Sequence, residues 1–177
     1  MSNEAATTSK ALSNQRIRLL TSTAIFAAMI TVMTAYICHV PVGANGGYIH
    51  FGDSLIYIAA TLLPTPYALA AIGGGMADLL TSPMWAPATI IIKMIITIPF
   101  TNKTEKIVNV HNVVATVIAF LLSGTGYYIA EAILFGTKTA FLMSLSGSLI
   151  QSGGSAIVFI ILGIFLDKMG FKKRFLK

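Results

Sequence analysis

The chain has 177 residues, 55% of them hydrophobic and only 10% charged, with a mean hydropathy of +0.80. Soluble domains carry about 25% charged residues, so this composition excludes an ordinary soluble domain and implies an integral membrane protein. The net charge of +6 does not indicate a nucleic-acid binder, because the basic residues sit at the two ends and in one short loop, as membrane orientation requires.

About 20 apolar residues cross a bilayer, so the length accommodates five or six crossings and little else. No stretch could hold a nucleotide-binding domain, and no Gly-rich loop leads into Gly-Lys-Ser/Thr. Any ATP is therefore used by a partner. Cys38 is the single cysteine, which leaves no internal disulfide and no thiolate cluster. No metal-ligand spacing, nucleophile–base constellation or cofactor motif is present, so no catalytic residue, metal or cofactor is expected. The first fifteen residues, MSNEAATTSKALSNQ, are polar and lack the pattern of a signal peptide.

In chain order, the first predicted span covers 17–38. Arg16 and Arg18 precede it and place the N-terminus in the cytoplasm. Ala24, Ala27 and Ala28 form a small-residue face, which suits either internal packing or close approach of another helix. The connector over 39–53 contains Pro41, Gly43, Gly46 and Gly47, which rule out a continuous helix. With His39, Asn45, Tyr48 and His50 it reads as an outer loop that could cover a ligand, or as a plain connector. Asp53 reads as a cap of the next helix, as a ligand contact, or as both.

Residues 54–81 are too long for one span at 1.5 Å per residue, and Leu63-Pro64-Thr65-Pro66 interrupts them. Two short spans are predicted, 53–63 and 67–81. The second contains Gly73, Gly74 and Gly75, which permit close contact with a neighbour or a ligand, and Asp78 lies at its outer end. Trp85 follows, as an interfacial anchor or as a surface for stacking on a ligand. The fourth span, 86–100, carries Lys93, with Thr89 one turn away on the same face. A lysine in lipid needs a partner, and Asp53 and Asp78 both qualify. The pair is read either as purely structural or as open to a polar substrate.

The fifth span, 110–132, carries His111 and Asn112 at its inner end, both expected to be interfacial. At its outer end, Tyr127 and Glu131 share a helix face. They suit a heteroaromatic ring, or else belong to an aromatic belt with a solvated carboxylate. The sixth span, 143–166, has a polar stripe of Ser144, Ser148, Gln151, Ser152 and Ser155 in its outer half and an apolar inner half. The predicted fold is thus all-α. It is an integral membrane bundle of six transmembrane helices with both termini cytoplasmic: a flexible segment over 1–15, one membrane domain over 16–168 and a basic tail over 169–177. Six spans keep every basic loop but that of Lys138 inside, whereas five would not.

The stretches GGYIHFGDSLIYIAATLLP and AAIGGGMADLLTSPMWAPATIIIK resemble the substrate-binding S-components of energy-coupling factor (ECF) vitamin transporters. The likeness is to the riboflavin, hydroxymethylpyrimidine and pyridoxine branch. It rests on Gly52-Asp53, Ala77-Asp78 and the Pro-x-Thr-(x)3-Lys run from Pro87 to Lys93. The resemblance implies a non-enzymatic subunit of a multi-pass importer in a bacterial cytoplasmic membrane. It would capture a small vitamin from outside and dock through Ala24 and Ala28 on a transmembrane coupling subunit driven by two cytoplasmic ATPases. The candidate substrate contacts are Asn45, Tyr48, His50, Asp53, Asp78, Trp85, Thr89, Lys93, Tyr127, Glu131, Ser148 and Gln151. Pyridoxine or hydroxymethylpyrimidine is the favoured substrate, with riboflavin next. Two other readings are weaker. A partner-free facilitator needs a polar path that the inner half of span six lacks, and an intramembrane enzyme would rest on Asp53 and Asp78 alone.

Overall fold

The computed structural model describes residues 2–37, 39–42, 47–64 and 67–175, with backbone alone for 2–9, 11, 41, 42, 47–49, 67, 68, 137–146, 148 and 149. In chain order the elements are α1 (Ser2–Ala35), β1 (Val40–Val42), β2 (Gly47–Ile49), α2 (Gly52–Leu62), a 3-10 helix (Tyr67–Ala71), α3 (Ile72–Thr81), α4 (Ala86–Ile95), α5 (Val110–Phe135), α6 (Thr137–Lys168) and α7 (Phe171–Phe175). The chain is helical, as its composition requires. One departure from all-α is a short antiparallel hairpin in the 39–53 connector, where Val40 pairs with Ile49 and Val42 with Gly47.

Among the described residues, three helical stretches are long and apolar enough to cross a membrane: Leu12–Ala35, Val110–Phe135 and Ile150–Lys168. Gly52–Leu62, Leu69–Thr81 and Ala86–Ile95 are apolar but short. At 1.5 Å per residue, α2 extends about 16 Å, roughly half of a hydrocarbon core. Helices α1 to α6 each lie beside two others of the six, and together they close a ring in the order α1, α3, α4, α5, α6, α2. All of α2 is buried, so this short helix is sheathed by protein.

Local sequence explains most boundaries. Leu63 ends α2 in an extended conformation just before Pro64, because proline disfavours the helical region for the residue preceding it. Pro87 lies in the first turn of α4, where its missing N–H costs nothing. That helix stops at Ile95, short of the predicted Phe100. Tight turns follow, with Thr97 N–H donating to Met94 and Ile98 N–H to Ile95, as the chain approaches Pro99. At the other end of the chain, α1 begins at Ser2, upstream of the predicted start at Ile17.

The glycine run makes the predicted close contacts. A Cβ on Gly73 would sit 2.3 Å from the Ala27 carbonyl oxygen, and one on Gly75 would sit 2.1 Å from Ile90 Cγ1. Only residues without a side chain let α3 wedge between α1 and α4 in this way. Thr31 Oγ1 adds a hydrogen bond to the Gly73 carbonyl at 3.0 Å. The three-alanine face of α1 is therefore divided. Ala27 lies against α3, while Ala24 and Ala28 are exposed.

Asn112, expected at an interface, is instead fully buried. Its side chain donates to the Thr101 and Ile107 carbonyls and accepts from Thr101 N–H. It thus organises the loop between α4 and α5. Asp167 braces the same loop from α6 by accepting from Ile107 N–H and Val108 N–H at 2.8 and 2.9 Å. The exposed pair Lys173–Glu105 closes at 2.9 Å. Its hydrogen bond and charge hold Glu105 below the usual carboxylate range. Arg18 donates to the Phe175 carbonyl, and Phe26 meets Phe175 edge to face, tying α7 to α1.

Candidate functional site

Charged groups meet inside the ring of helices. Asp53 lies in the first turn of α2, and the helix has no side-chain cap. The expected capping role is therefore not realised. Its carboxylate turns inward to Lys93 on α4, with Nζ at 2.7 Å from Oδ1 and 2.8 Å from Oδ2. Both side chains are wholly buried. Gln151 on α6 donates to Asp53 Oδ2 at 3.2 Å, which gives its buried amide nitrogen a partner. Of the two carboxylates that the sequence offered to Lys93, Asp53 makes the ion pair. Asp78 is buried on α3, within electrostatic reach of Lys93 and Tyr127.

The stem of Lys93 passes against Gly74, where a Cβ would approach Cγ to 3.1 Å. Its ammonium lies 5.3 Å from the centroid of the Tyr127 ring, a cation–π distance. Tyr127 is fixed from two further sides. Its hydroxyl and Thr89 Oγ1 are 3.1 Å apart, and its ring meets the edge of Trp85 at 6.2 Å. Trp85 is 6% exposed and also packs on Phe135 at 5.8 Å. Its ring therefore faces the protein interior, covered by Tyr127 and Phe135. Glu131 is buried on α5, one turn beyond Tyr127, whereas Tyr128 faces outward. The solvated-carboxylate reading of Glu131 does not hold.

His50 precedes α2 and is buried. Its Nδ1 accepts from Gly52 N–H at 2.9 Å, which sets the imidazole tautomer. Asn45 lies outside the described residues, as do the side chains of Tyr48 and Ser148. The structure thus brings Asp53, Lys93, Gln151, Tyr127, Thr89 and Trp85 into one contiguous cluster around the inner faces of α2, α4, α5 and α6.

Beyond Asp53 and Gln151, an aromatic layer closes the interior. Tyr57 stacks on Phe100 at 4.9 Å, and Phe159 meets both rings edge to face at 5.8–5.9 Å. The hydroxyls of Tyr57, Ser152 and Ser155 and the Trp85 indole N–H are buried with no hydrogen-bond partner among the described residues. Each such group costs about 1–3 kcal/mol when left unpaired. The polar stripe on α6 hinted at the two serines. Nothing in the sequence set Tyr57 apart from an ordinary core aromatic.

Apolar helices closed around a buried charged and amide cluster define a membrane protein with an internal polar site. The model of the family described as ECF-type riboflavin transporter, S component, matches residues 14–168, and the chain belongs to that family. S-components are substrate-binding subunits of ECF transporters, and they are not enzymes. A 63-residue stretch is also 35% identical to an uncharacterised protein of Pyrococcus woesei, covering 34% of this chain and 43% of that relative. The match therefore spans less than half of the relative's length.

Proposed function

We propose that the chain captures a small water-soluble vitamin or vitamin precursor from outside a bacterial cell and delivers it through a transmembrane coupling subunit driven by two cytoplasmic ATPases. In this reading the chain crosses the membrane six times, with both termini in the cytoplasm. The exposed alanines Ala24 and Ala28 form the docking face. The observation that carries the substrate assignment is the closed Asp53–Lys93 pair beside Tyr127, Thr89 and Trp85. The Asp53–Lys93 pair carries no net charge, and with Asp78 and Glu131 also buried the cluster favours a neutral, hydrogen-bond-donating guest over an anion. Such a guest would offer hydroxyl groups and a ring to Thr89, Gln151, Tyr127 and Trp85, with Glu131 facing a ring nitrogen or hydroxyl. Pyridoxine and hydroxymethylpyrimidine have this chemistry at the smallest size. Riboflavin is the second reading, favoured by the description of the family.

The deciding experiment is mass spectrometry of small molecules released when the purified protein is denatured. A stoichiometric hydroxylated heteroaromatic vitamin is expected. Release of an unrelated solute, or uptake by the lone protein in liposomes without ATP, would overturn the reading.

A further inference from the structure

Two hydroxyls without partners among the described residues, those of Tyr57 and Ser155, lie along the seam between α2 and α6, and a third, that of Ser152, lies about one turn before Ser155 on α6. Asp53 and Tyr57 are one turn apart on α2, and Gln151, Ser155 and Phe159 are successive turns on α6, so each set shares a helix face. The two helices touch at both ends of this interval. Gln151 meets Asp53 at 3.2 Å, and Phe159 meets Tyr57 at 5.9 Å. Ser155 is bracketed between these contacts, and Ser152 lies three residues before it. Tyr57 and Ser155 have no exposed surface, and Ser152 has 2%. Hydroxyls in helices commonly bond the carbonyl one turn back. Thr21, Thr23 and Thr81 do so here. Ser152 and Ser155 have no such partner among the described residues. Stacking on Phe100 at 4.9 Å holds the Tyr57 phenol in the seam.

We infer that this interval is a second polar subsite, next to the Asp53–Lys93 pair, for a small neutral guest that both donates and accepts hydrogen bonds. Hydroxyl dipoles against an aromatic wall suit such a guest better than an ion. The guest is ordered water or a hydroxyl arm of the transported substrate. The second source rests on the proposed function; the first does not.

The test uses Tyr57→Phe and Ser155→Ala in the full chain, with Ser152→Ala as a further small change that spares packing. Each variant removes an oxygen with no hydrogen-bond partner among the described residues, so a loss beyond that of the oxygen's own packing points to a guest. Thermal unfolding is followed without ligand, and affinity for pyridoxine and for riboflavin is measured by calorimetry. A fall in Tm of about 2–4 °C in the ligand-free variants identifies bound water. An unchanged Tm with at least a tenfold loss of affinity identifies the substrate's hydroxyl, and a fall in both shows the subsite serving both guests. Unchanged or raised Tm with unchanged affinity overturns the subsite. If the parent protein binds neither vitamin, the unfolding arm decides alone: a fall supports the subsite while the transport reading loses its substrate, and no fall overturns the subsite.

Discussion

Asp53 and Lys93 stand forty residues apart in the chain and meet as a two-pronged ion pair with no exposed surface. Gln151, ninety-eight residues from Asp53, adds a hydrogen bond to the same carboxylate at Oδ2. Three helices are thereby fastened at one point inside the ring, and the polar cluster is built around that point.

Breaking the pair from one side leaves an uncompensated buried charge, which costs about 3–5 kcal/mol. Lys93→Met and Asp53→Asn are each expected to lower stability strongly, and the double variant to recover much of the loss. A double-mutant cycle on thermal unfolding measures this. A coupling below about 0.5 kcal/mol would show that the pair does not brace the fold. Lys93→Met is also expected to weaken vitamin binding at least tenfold, about 1.4 kcal/mol.

Glu131→Gln keeps the size of a buried side chain and removes its charge. Affinity for the vitamin should fall at least tenfold, about 1.4 kcal/mol, with little change in Tm. Unchanged affinity by calorimetry removes Glu131 from the site.

Ala24 and Ala28 are exposed on α1 and take no part in the charged cluster. Ala24→Trp and Ala28→Trp should therefore leave vitamin binding intact while blocking ATP-driven uptake by the assembled complex. Normal uptake in both variants would place the coupling subunit elsewhere.

The sign of a glycine substitution depends on what the new methyl meets. Alanine at an open helical position gains about 1 kcal/mol in propensity over glycine. Gly153 has nothing within 4 Å of a Cβ, whereas Gly73 has the Ala27 carbonyl oxygen at 2.3 Å. Gly153→Ala is expected to hold or raise Tm, and Gly73→Ala to lower stability by about 1–3 kcal/mol through overpacking. Equal effects at the two sites would contradict the close approach of α1 and α3.

Composition and the long apolar runs determined that this is a helical membrane protein, because lipid as solvent admits few charges and a helix satisfies every backbone group within its own segment. Local chemistry was legible as well. Pro64 ended α2, the glycines of α3 marked a close contact, and ionisable residues in apolar stretches marked an interior site. Which carboxylate meets Lys93, the burial of Asn112 in a loop-organising role, and the meeting of Tyr57 with Phe159 were decided only by the tertiary structure. These contacts join residues on helices whose order around the ring, α1, α3, α4, α5, α6, α2, is a property of packing. Periodicity along one helix shows which side chains share a face, but it cannot show which other helix that face will meet.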